Sequence, residues 1–258
     1  NFLCQEINAG VVTFEDYEDG MPADEKDLSD ACSSATASAK GYKSGRSMCI
    51  ADTANNATAF MQVPAGFSSQ VMEIDFDLFI DSEATSGGGA NIKIMSGQHS
   101  NANTAFWFRF FQGKVVYYTG TAWVTLSDIP SVGIGEWAHI HIKADATGSA
   151  KVYVNGSLSF ICPHTTGAYG SNATTELSYL YFQSGGNSAT NDIFYIDNLY
   201  IRPGIPDTVT GGIFQDFESM TVGAEPTDNN FANASFGATV SSDKAYNSNN
   251  SVCINDTS

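Results

Sequence analysis

Apolar and polar residues alternate along many stretches of this chain, and this period of two is what most constrains its fold. The alternation is clear in residues 71–80, 106–111 and 137–143. Only an extended strand places alternate side chains on opposite faces. Asn155-Gly156 adds the strongest short signal for a hairpin turn. The pattern predicts an all-β fold, an antiparallel two-sheet β-sandwich of the jelly-roll kind.

Two short blocks of sequence occur twice and in the same order. Phe14–Glu18 recurs as Phe214–Glu218, and Ser47–Thr53 recurs as Ser251–Thr257. Chance similarity rarely gives two ordered blocks at nearly the same offset. A repeat at a fixed spacing indicates tandem copies of one structural unit.

The repeat sets the expected domain boundaries. Residues 11–202 are predicted to form a complete sandwich, and residues 212–258 the N-terminal fragment of a second copy. Residues 203–211 are predicted to be a linker because they begin with Pro203-Gly204-Ile205-Pro206. Since the fragment is too short to bury a core of its own, we expect neighbouring repeats in the parent protein.

The charge balance limits the classes of partner. Lys and Arg number 11 and Asp and Glu number 28, which gives a formal net charge of −17. So acidic a chain repels nucleic acids and anionic membranes and favours a neutral glycan over an anionic one. No apolar stretch approaches the roughly 20 residues needed to span a bilayer. Charged residues make up only 15% of the chain, which is typical of secreted β proteins.

The cysteines do not predict a disulfide framework. The chain has five, an odd number, and their spacing matches no zinc motif. Cys49 recurs as Cys253, whereas Cys32 has no counterpart in the second copy. We therefore expect Cys49 to be a small buried hydrophobic residue, with a Cys32–Cys49 disulfide as the alternative.

Several ordered motifs resemble one structural family. Trp137–Ile140 followed by Val152–Gly156 resembles the core of concanavalin A-like, LamG-type jelly rolls, and Phe194–Leu199 resembles their closing strand. Asp16–Glu18 resembles the opening of related bacterial carbohydrate-binding jelly rolls. The resemblance implies a concanavalin A-like sandwich. Because that fold hosts lectins, carbohydrate-binding modules, adhesive domains, hydrolases and lyases, it does not decide the function.

One set of outward-facing residues is predicted to bind a sugar. Aromatic rings stack on the CH faces of sugars, and planar polar groups bind the hydroxyls. We expect the set to line one concave sheet face together with Glu73 and Asp75, although such rings can also cover a second apolar layer. His139 and His141, two apart on one strand, could instead hold zinc. The predicted ligand-binding residues are Trp107, Arg109, His139, His141, Tyr179, Tyr181 and Gln183.

An enzymatic alternative depends on a row of carboxylates. Glu73, Asp75 and Asp77 resemble the E-x-D-x-E strand of laminarinase-type glycoside hydrolases, in which the outer two residues are nucleophile and general acid. The last position is Asp77 here, one methylene shorter, and an acidic solvent-facing strand explains the row equally. Gln98-His99 with Arg109 resembles the residue types of jelly-roll polysaccharide lyases, in a spacing that fits poorly.

A structural calcium site is implied by the resemblance. Related carbohydrate-binding jelly rolls hold Ca²⁺ with a carboxylate near the first strand and an Asp near the last, and Glu18 and Asp197 match those positions. Asp16 and Asp19 are further candidate ligands, and a solvated acidic turn is the alternative.

The favoured function is a non-catalytic carbohydrate-binding module in an extracellular or cell-surface tandem-repeat protein. Its partner would be a neutral polysaccharide or glycan, bound weakly at each copy and strengthened by avidity. A structural or protein-adhesive repeat without a sugar site is the first alternative, and a glycoside hydrolase using Glu73 and Asp77 is the second. We expect no nucleic-acid binding and no membrane insertion.

Overall fold

The structure is a computed structural model, which describes two compact units within the 258 residues. The units are Asn1–Pro206 and Asp207–Ser258, and each is considered by itself. No helix in the described part of the chain is long and apolar enough to cross a membrane. The described residues are 12–26, 28–43, 45–53, 58–84, 88–167, 175–185, 191–207, 238–241 and 251–254.

The first unit consists of two antiparallel seven-stranded sheets, which confirms the predicted fold class. Sheet A has the order β1-β4-β13-β6-β7-β8-β9, and sheet B has the order β12-β11-β10-β5-β14-β3-β2. A single turn of 3-10 helix, Asn101–Asn103, precedes β7. The strands of sheet A are β1 Ala31–Ser33, β4 Phe60–Ser69, β6 Ala90–Met95, β7 Thr104–Phe111, β8 Lys114–Tyr118, β9 Trp123–Leu126 and β13 Leu177–Gln183. The strands of sheet B are β2 Ala35–Ser38, β3 Ser47–Asp52, β5 Val71–Ser82, β10 Trp137–Asp145, β11 Ser149–Val154, β12 Ser157–Pro163 and β14 Asp192–Pro203.

The core lies between the two sheets and is filled by the alternate residues that the sequence predicts. On β5, the side chains of Met72, Ile74, Phe76, Leu78 and Ile80 are at most 1% exposed. Phe76 meets Phe182 of sheet A edge-to-face, with ring centroids 5.3 Å apart. Burying rings and aliphatic chains of this size supplies the main driving force for packing sheet on sheet.

The turn between β11 and β12 is the hairpin that Asn155-Gly156 predicts. Val154 pairs with Ser157, so the loop has two residues. Asn155 has φ 49° and Gly156 has φ 80°. Positive φ at both central residues defines the type I′ turn, which Asn and Gly adopt with little strain.

Three cysteines whose side chains the structure describes are free thiols. Cys32, Cys49 and Cys162 form no disulfide. Cys49 is half-buried and pairs with Thr36 on the outward side of β3. Cys49 is thus a free thiol as predicted, but it is only half-buried because the residue belongs to the outer face of sheet B and not to the core.

The second unit contains one described hairpin, β15 Ala238–Ser241 and β16 Ser251–Ile254. Its register pairs Thr239 with Cys253, as β2 and β3 of the first unit pair Thr36 with Cys49. The recurrence of Phe14–Glu18 at residues 214–218 lies outside the described residues, so the assignment of a second copy stays a prediction.

Candidate functional site

The predicted sugar-binding residues lie on two different sheets. Trp107 and Arg109 belong to β7, and Tyr179, Tyr181 and Gln183 belong to β13, all in sheet A. The sheets pack face to face, so their outward side chains point in opposite directions. The expectation of one continuous face is therefore wrong. The residues placed on sheet B are His139 and His141 of β10 with Glu73 and Asp75 of β5.

The outward side chains of β13, β6 and β7 form a surface that we call the Lys93 face. Cross-strand pairing sets it, since Lys93 lies opposite Tyr181 on one side and Trp107 on the other. The next row places Asn91 between Gln183 and Arg109. The Lys93 face consists of Asn91, Lys93, Trp107, Arg109, Tyr179, Tyr181 and Gln183.

Lys93 is an outward-facing cation that its neighbours nevertheless cover. Lys93 is 4% exposed. Its Nζ lies 4.2 Å from the ring centroid of Trp107 and 5.2 Å from the ring centroid of Tyr181. Among the described residues, no Asp or Glu forms an ion pair with it. Burial lowers the pKa of Lys93 to about 8, so the ammonium is still mostly charged at pH 7.

His99 is the polar partner of Lys93 and comes from the loop before β7. Its Nε2 lies 3.1 Å from Lys93 Nζ, and its ring stacks on Tyr181 with centroids 4.1 Å apart. Its backbone N–H donates to Gln62 Oε1 at 2.6 Å. Desolvation and the charge of Lys93 lower the pKa of His99 to about 4. The imidazole is therefore neutral at pH 7, and its Nε2 can accept a hydrogen bond from the ammonium.

Aromatic rings border the Lys93 face on the side of β8 and β9. Trp107 contacts Tyr118 and Trp123 with centroids 5.2 and 4.9 Å away. Its Nε1 donates to Asn91 Oδ1 at 3.2 Å. Trp123 is 41% exposed, and the guanidinium of Arg109 lies 4.6 Å from its ring. The border thus offers an exposed ring beside planar hydrogen-bond donors.

Three polar residues in or beside the Lys93 face are not predicted from the sequence. Lys93, Asn91 and Gln62 were not among the predicted residues, and Gln98-His99 fitted only a lyase pattern. All three are outward-facing polar residues on strands, and each is at most 5% exposed. The alternation in 90–95 is a signal that could have found Lys93, because a Lys flanked by Ile on both sides faces away from the core.

The carboxylates of the row on sheet B all form hydrogen bonds or ion pairs with neighbouring side chains. Arg202 Nη2 lies 2.6 Å from Glu73 Oε2. His141 Nδ1 lies 2.8 Å from Asp75 Oδ1, and His139 Nδ1 lies 3.2 Å from Asp77 Oδ1. Each pair is directly opposite in the strand register, which is where sheets bring opposite charges together.

The protonation of Asp75 follows from this network. Burial by itself would raise its pKa, but the hydrogen bond from His141 and the charges of His141, Arg202 and His139 outweigh burial and lower it. The geometry of the row therefore favours an ion-paired surface.

The metal predictions are not supported by a cluster of side chains. The described residues contain no group of three or more His, Cys, Asp or Glu that could hold a metal ion. Glu18 is exposed. Asp197 is buried and accepts the backbone N–H of Tyr42 and of Asn198, each at 2.7 Å. Calcium at Glu18 and Asp197 stays a prediction, and its other ligands would have to be backbone carbonyls or water.

The two sheets differ in charge. The strands of sheet A contain no Asp or Glu, and their charged residues are Lys93, Arg109 and Lys114. The acidic residues on the strands of sheet B are Asp52, Glu73, Asp75, Asp77, Asp81, Asp145, Asp192 and Asp197. Among the residues of the strands, the acidic ones are therefore confined to sheet B.

Comparison with known proteins finds likeness in structure alone. No family profile matches the sequence, and no curated protein matches it. An endo-β-1,4-glucuronan lyase from the fungus Trichoderma reesei is 10% identical, covering 73% of this chain and 94% of its own, with a TM-score of 0.49. A cellulose induced protein is 13% identical, covering 69% and 89%, with a TM-score of 0.49. A carbohydrate binding module from Bacillus subtilis is 12% identical, covering 61% and 86%, with a TM-score of 0.38.

The fold itself is set by the arrangement of the strands. Two antiparallel sheets of seven strands pack over one continuous core, and the sequence motifs of the family lie on β10, β11 and β14. The first unit of this chain is an antiparallel two-sheet β-sandwich of the jelly-roll kind.

Proposed function

We propose that the first unit is a non-catalytic carbohydrate-binding module and that the Lys93 face binds the glycan. The observation that carries the proposal is the position of Trp107. Its ring faces outward from sheet A, half-buried, beside Trp123 and Tyr118 and hydrogen-bonded to Asn91. Rings fixed in this way can stack on sugars, and little conformational entropy is lost on binding.

Polar side chains on the same face supply the hydrogen bonds that a sugar needs. Arg109 and Gln183 lie on either side of Asn91 in the strand register, and both are half-buried. Planar donors and acceptors of this kind fix the orientation of hydroxyl groups. A secreted or cell-surface protein with tandem copies suits such a module, because linked weak sites gain avidity.

A glycan array with the full chain, compared with Trp107→Ala, tests the proposal. We expect the wild-type chain to retain a set of glycans and Trp107→Ala to lose them. Trp137→Ala is the matched control, because Trp137 packs between Tyr42 and Phe79 on sheet B. Equal retention by the wild-type chain and Trp107→Ala, or loss only in Trp137→Ala, would place the site elsewhere.

A protein-adhesive repeat is the second candidate. It is favoured by the edge strand β12, where Leu158 is 48% exposed and Ile161 is 52% exposed. Apolar residues on an unpaired strand edge are suited to contact with another polypeptide. A chain that binds no glycan but loses self-association or protein binding in Ile161→Lys would favour this candidate.

A further inference from the structure

Lys93 is a buried cation whose charge nothing in the described residues balances. Burying an ammonium without an anion is unfavourable, and buried charges are normally paired. Arg109 differs, because Asp192 and Glu83 act on it electrostatically. For Lys93 the described partners are the rings of Trp107 and Tyr181 and the neutral imidazole of His99. The position is therefore suited to an anion that the chain itself does not supply.

The surroundings of Lys93 also favour an anion. The charged residues on the strands of sheet A are all cations. Carboxylates reach the margin of the Lys93 face from loops. One of them is Asp30, which accepts a hydrogen bond from Gln62 at 2.7 Å. A local cationic surface can attract an anionic ligand even when the net charge is negative, because charges beyond about 10 Å are largely screened at physiological salt.

His99 is the neighbour beside which we expect an anion to reach Lys93. The His99 residue is exposed, while its Nε2 contacts the ammonium. Lys93 has three N–H donors, and the hydrogen bond to His99 accounts for one. A ligand oxygen beside the imidazole would thus meet a donor that is already oriented and partly desolvated, where a charge-assisted hydrogen bond is strongest.

We infer that the glycan bound on the Lys93 face is acidic, and that an anionic group on its sugar ring, a carboxylate or a sulfate, pairs with the ammonium of Lys93. This inference rests on the proposed function and names its ligand class. It replaces the neutral glycan expected from the net charge, because the acidic residues of the strands are concentrated on sheet B.

The experiment compares one polymer with and without its charge. Binding of the full chain to polygalacturonate and to its fully methyl-esterified form is measured by isothermal titration calorimetry at two salt concentrations. Dextran sulfate and dextran form a second pair that separates sulfate from carboxylate. We expect the preferred acidic polymer to bind at least tenfold more tightly than its uncharged counterpart, and this preference to shrink at high salt.

Lys93→Met is the decisive variant, and Lys114→Met is its matched control. Lys114 is exposed at the start of β8, so both variants lose one positive charge from sheet A. We expect Lys93→Met to lose the tenfold preference and Lys114→Met to keep it. Because replacing a buried charge by an isosteric apolar group is often neutral or stabilising, the melting temperature of Lys93→Met shows that lost binding is not unfolding.

Each outcome decides between the two proposals. Equal binding of charged and uncharged polymers, or an unchanged preference in Lys93→Met, overturns the acidic ligand and leaves the glycan-binding module intact, provided that Trp107→Ala abolishes binding. If the wild-type chain binds neither member of either pair and no glycan on the array, both proposals are wrong.

Discussion

The guanidinium of Arg202 lies 2.6 Å from Glu73 and 3.1 Å from Asp75, and so ties the last strand of sheet B to the carboxylate row. Glu73 would be the nucleophile or the acid of a laminarinase-like site. Because this carboxylate already pairs with a cation, we expect no hydrolysis. Incubation of the full chain with β-glucans should release no reducing ends.

The matching variant is Glu73→Gln. We expect it to leave glycan binding unchanged and to lower the free energy of unfolding by about 1 kcal/mol or less, since the pair is partly solvated. Release of reducing ends by the wild-type chain that disappears in Glu73→Gln would contradict this prediction and favour the hydrolase.

Lys93 should make the stability of the protein depend on pH in the alkaline range. Its pKa is lowered from 10.5 to about 8 in the folded protein, so between these values the unfolded chain binds more protons than the folded chain. The free energy of unfolding therefore rises with pH over that range as the penalty for a buried charge disappears. Urea unfolding at several pH values measures this.

Lys93→Met isolates that contribution. We expect the variant to be more stable than wild type by roughly 1–3 kcal/mol at pH 7, and the difference to vanish above about pH 10.5. A difference that is constant with pH would show that Lys93 is not the group that titrates.

Asp192 organises three backbone segments near one end of the sandwich, and its removal should be costly. Its buried carboxylate accepts N–H bonds from Ala84, Gly89 and Gly185 at 2.7, 2.9 and 2.8 Å. In Asp192→Ala these donors lose their partner, and we expect a loss of about 3–5 kcal/mol in the free energy of unfolding. Urea denaturation measures the loss.

A surface carboxylate provides the control for Asp192. Asp81 pairs with Lys40 at 2.7 Å, and its side chain is 42% exposed. Asp81→Ala should cost at most about 1 kcal/mol. Similar losses in the two variants would mean that the three backbone bonds contribute little.

The calcium prediction has a thermal test. If Ca²⁺ binds at Glu18 and Asp197 in the folded chain only, its addition raises the melting temperature and a chelator reverses the rise. We expect Glu18→Gln to abolish this response while leaving the metal-free melting temperature unchanged, because Glu18 is exposed. A melting temperature that calcium does not change in the wild-type chain would remove the site.

The sequence predicts which side of a strand faces the core better than it predicts which strands are neighbours. Alternation is local, so the inward set on β5 and the outward set on β10 follow directly from residues 71–80 and 137–143. Pairing is non-local: nothing along the chain shows that β6 lies between β13 and β7 while β10 lies between β5 and β11. Trp107 and His139 were therefore assigned to one face although they lie on opposite ones.

The burial of outward-facing polar residues was the other feature that the sequence did not predict. Every residue of β6 is buried, although Asn91 and Lys93 face outward. Their burial comes from rings on neighbouring strands and from the loop carrying His99, and none of these contacts is visible in the local pattern. The recurrence of Ala35–Ser38 as Ala238–Ser241 was also not predicted. A match of four residues is too short to recognise as a repeat in the sequence, and it supports one only because both hairpins have the same register.

The unequal charge of the two sheets gives the sandwich an electric polarity across its thickness. A uniformly acidic particle would be repelled from a polyanion in every orientation. Here the acidic residues of the strands lie on sheet B, so we expect the side of sheet A to meet the polymer first. The protein would then approach an acidic matrix in a preferred orientation, with its acidic side turned toward solvent, before any sugar ring reaches Trp107.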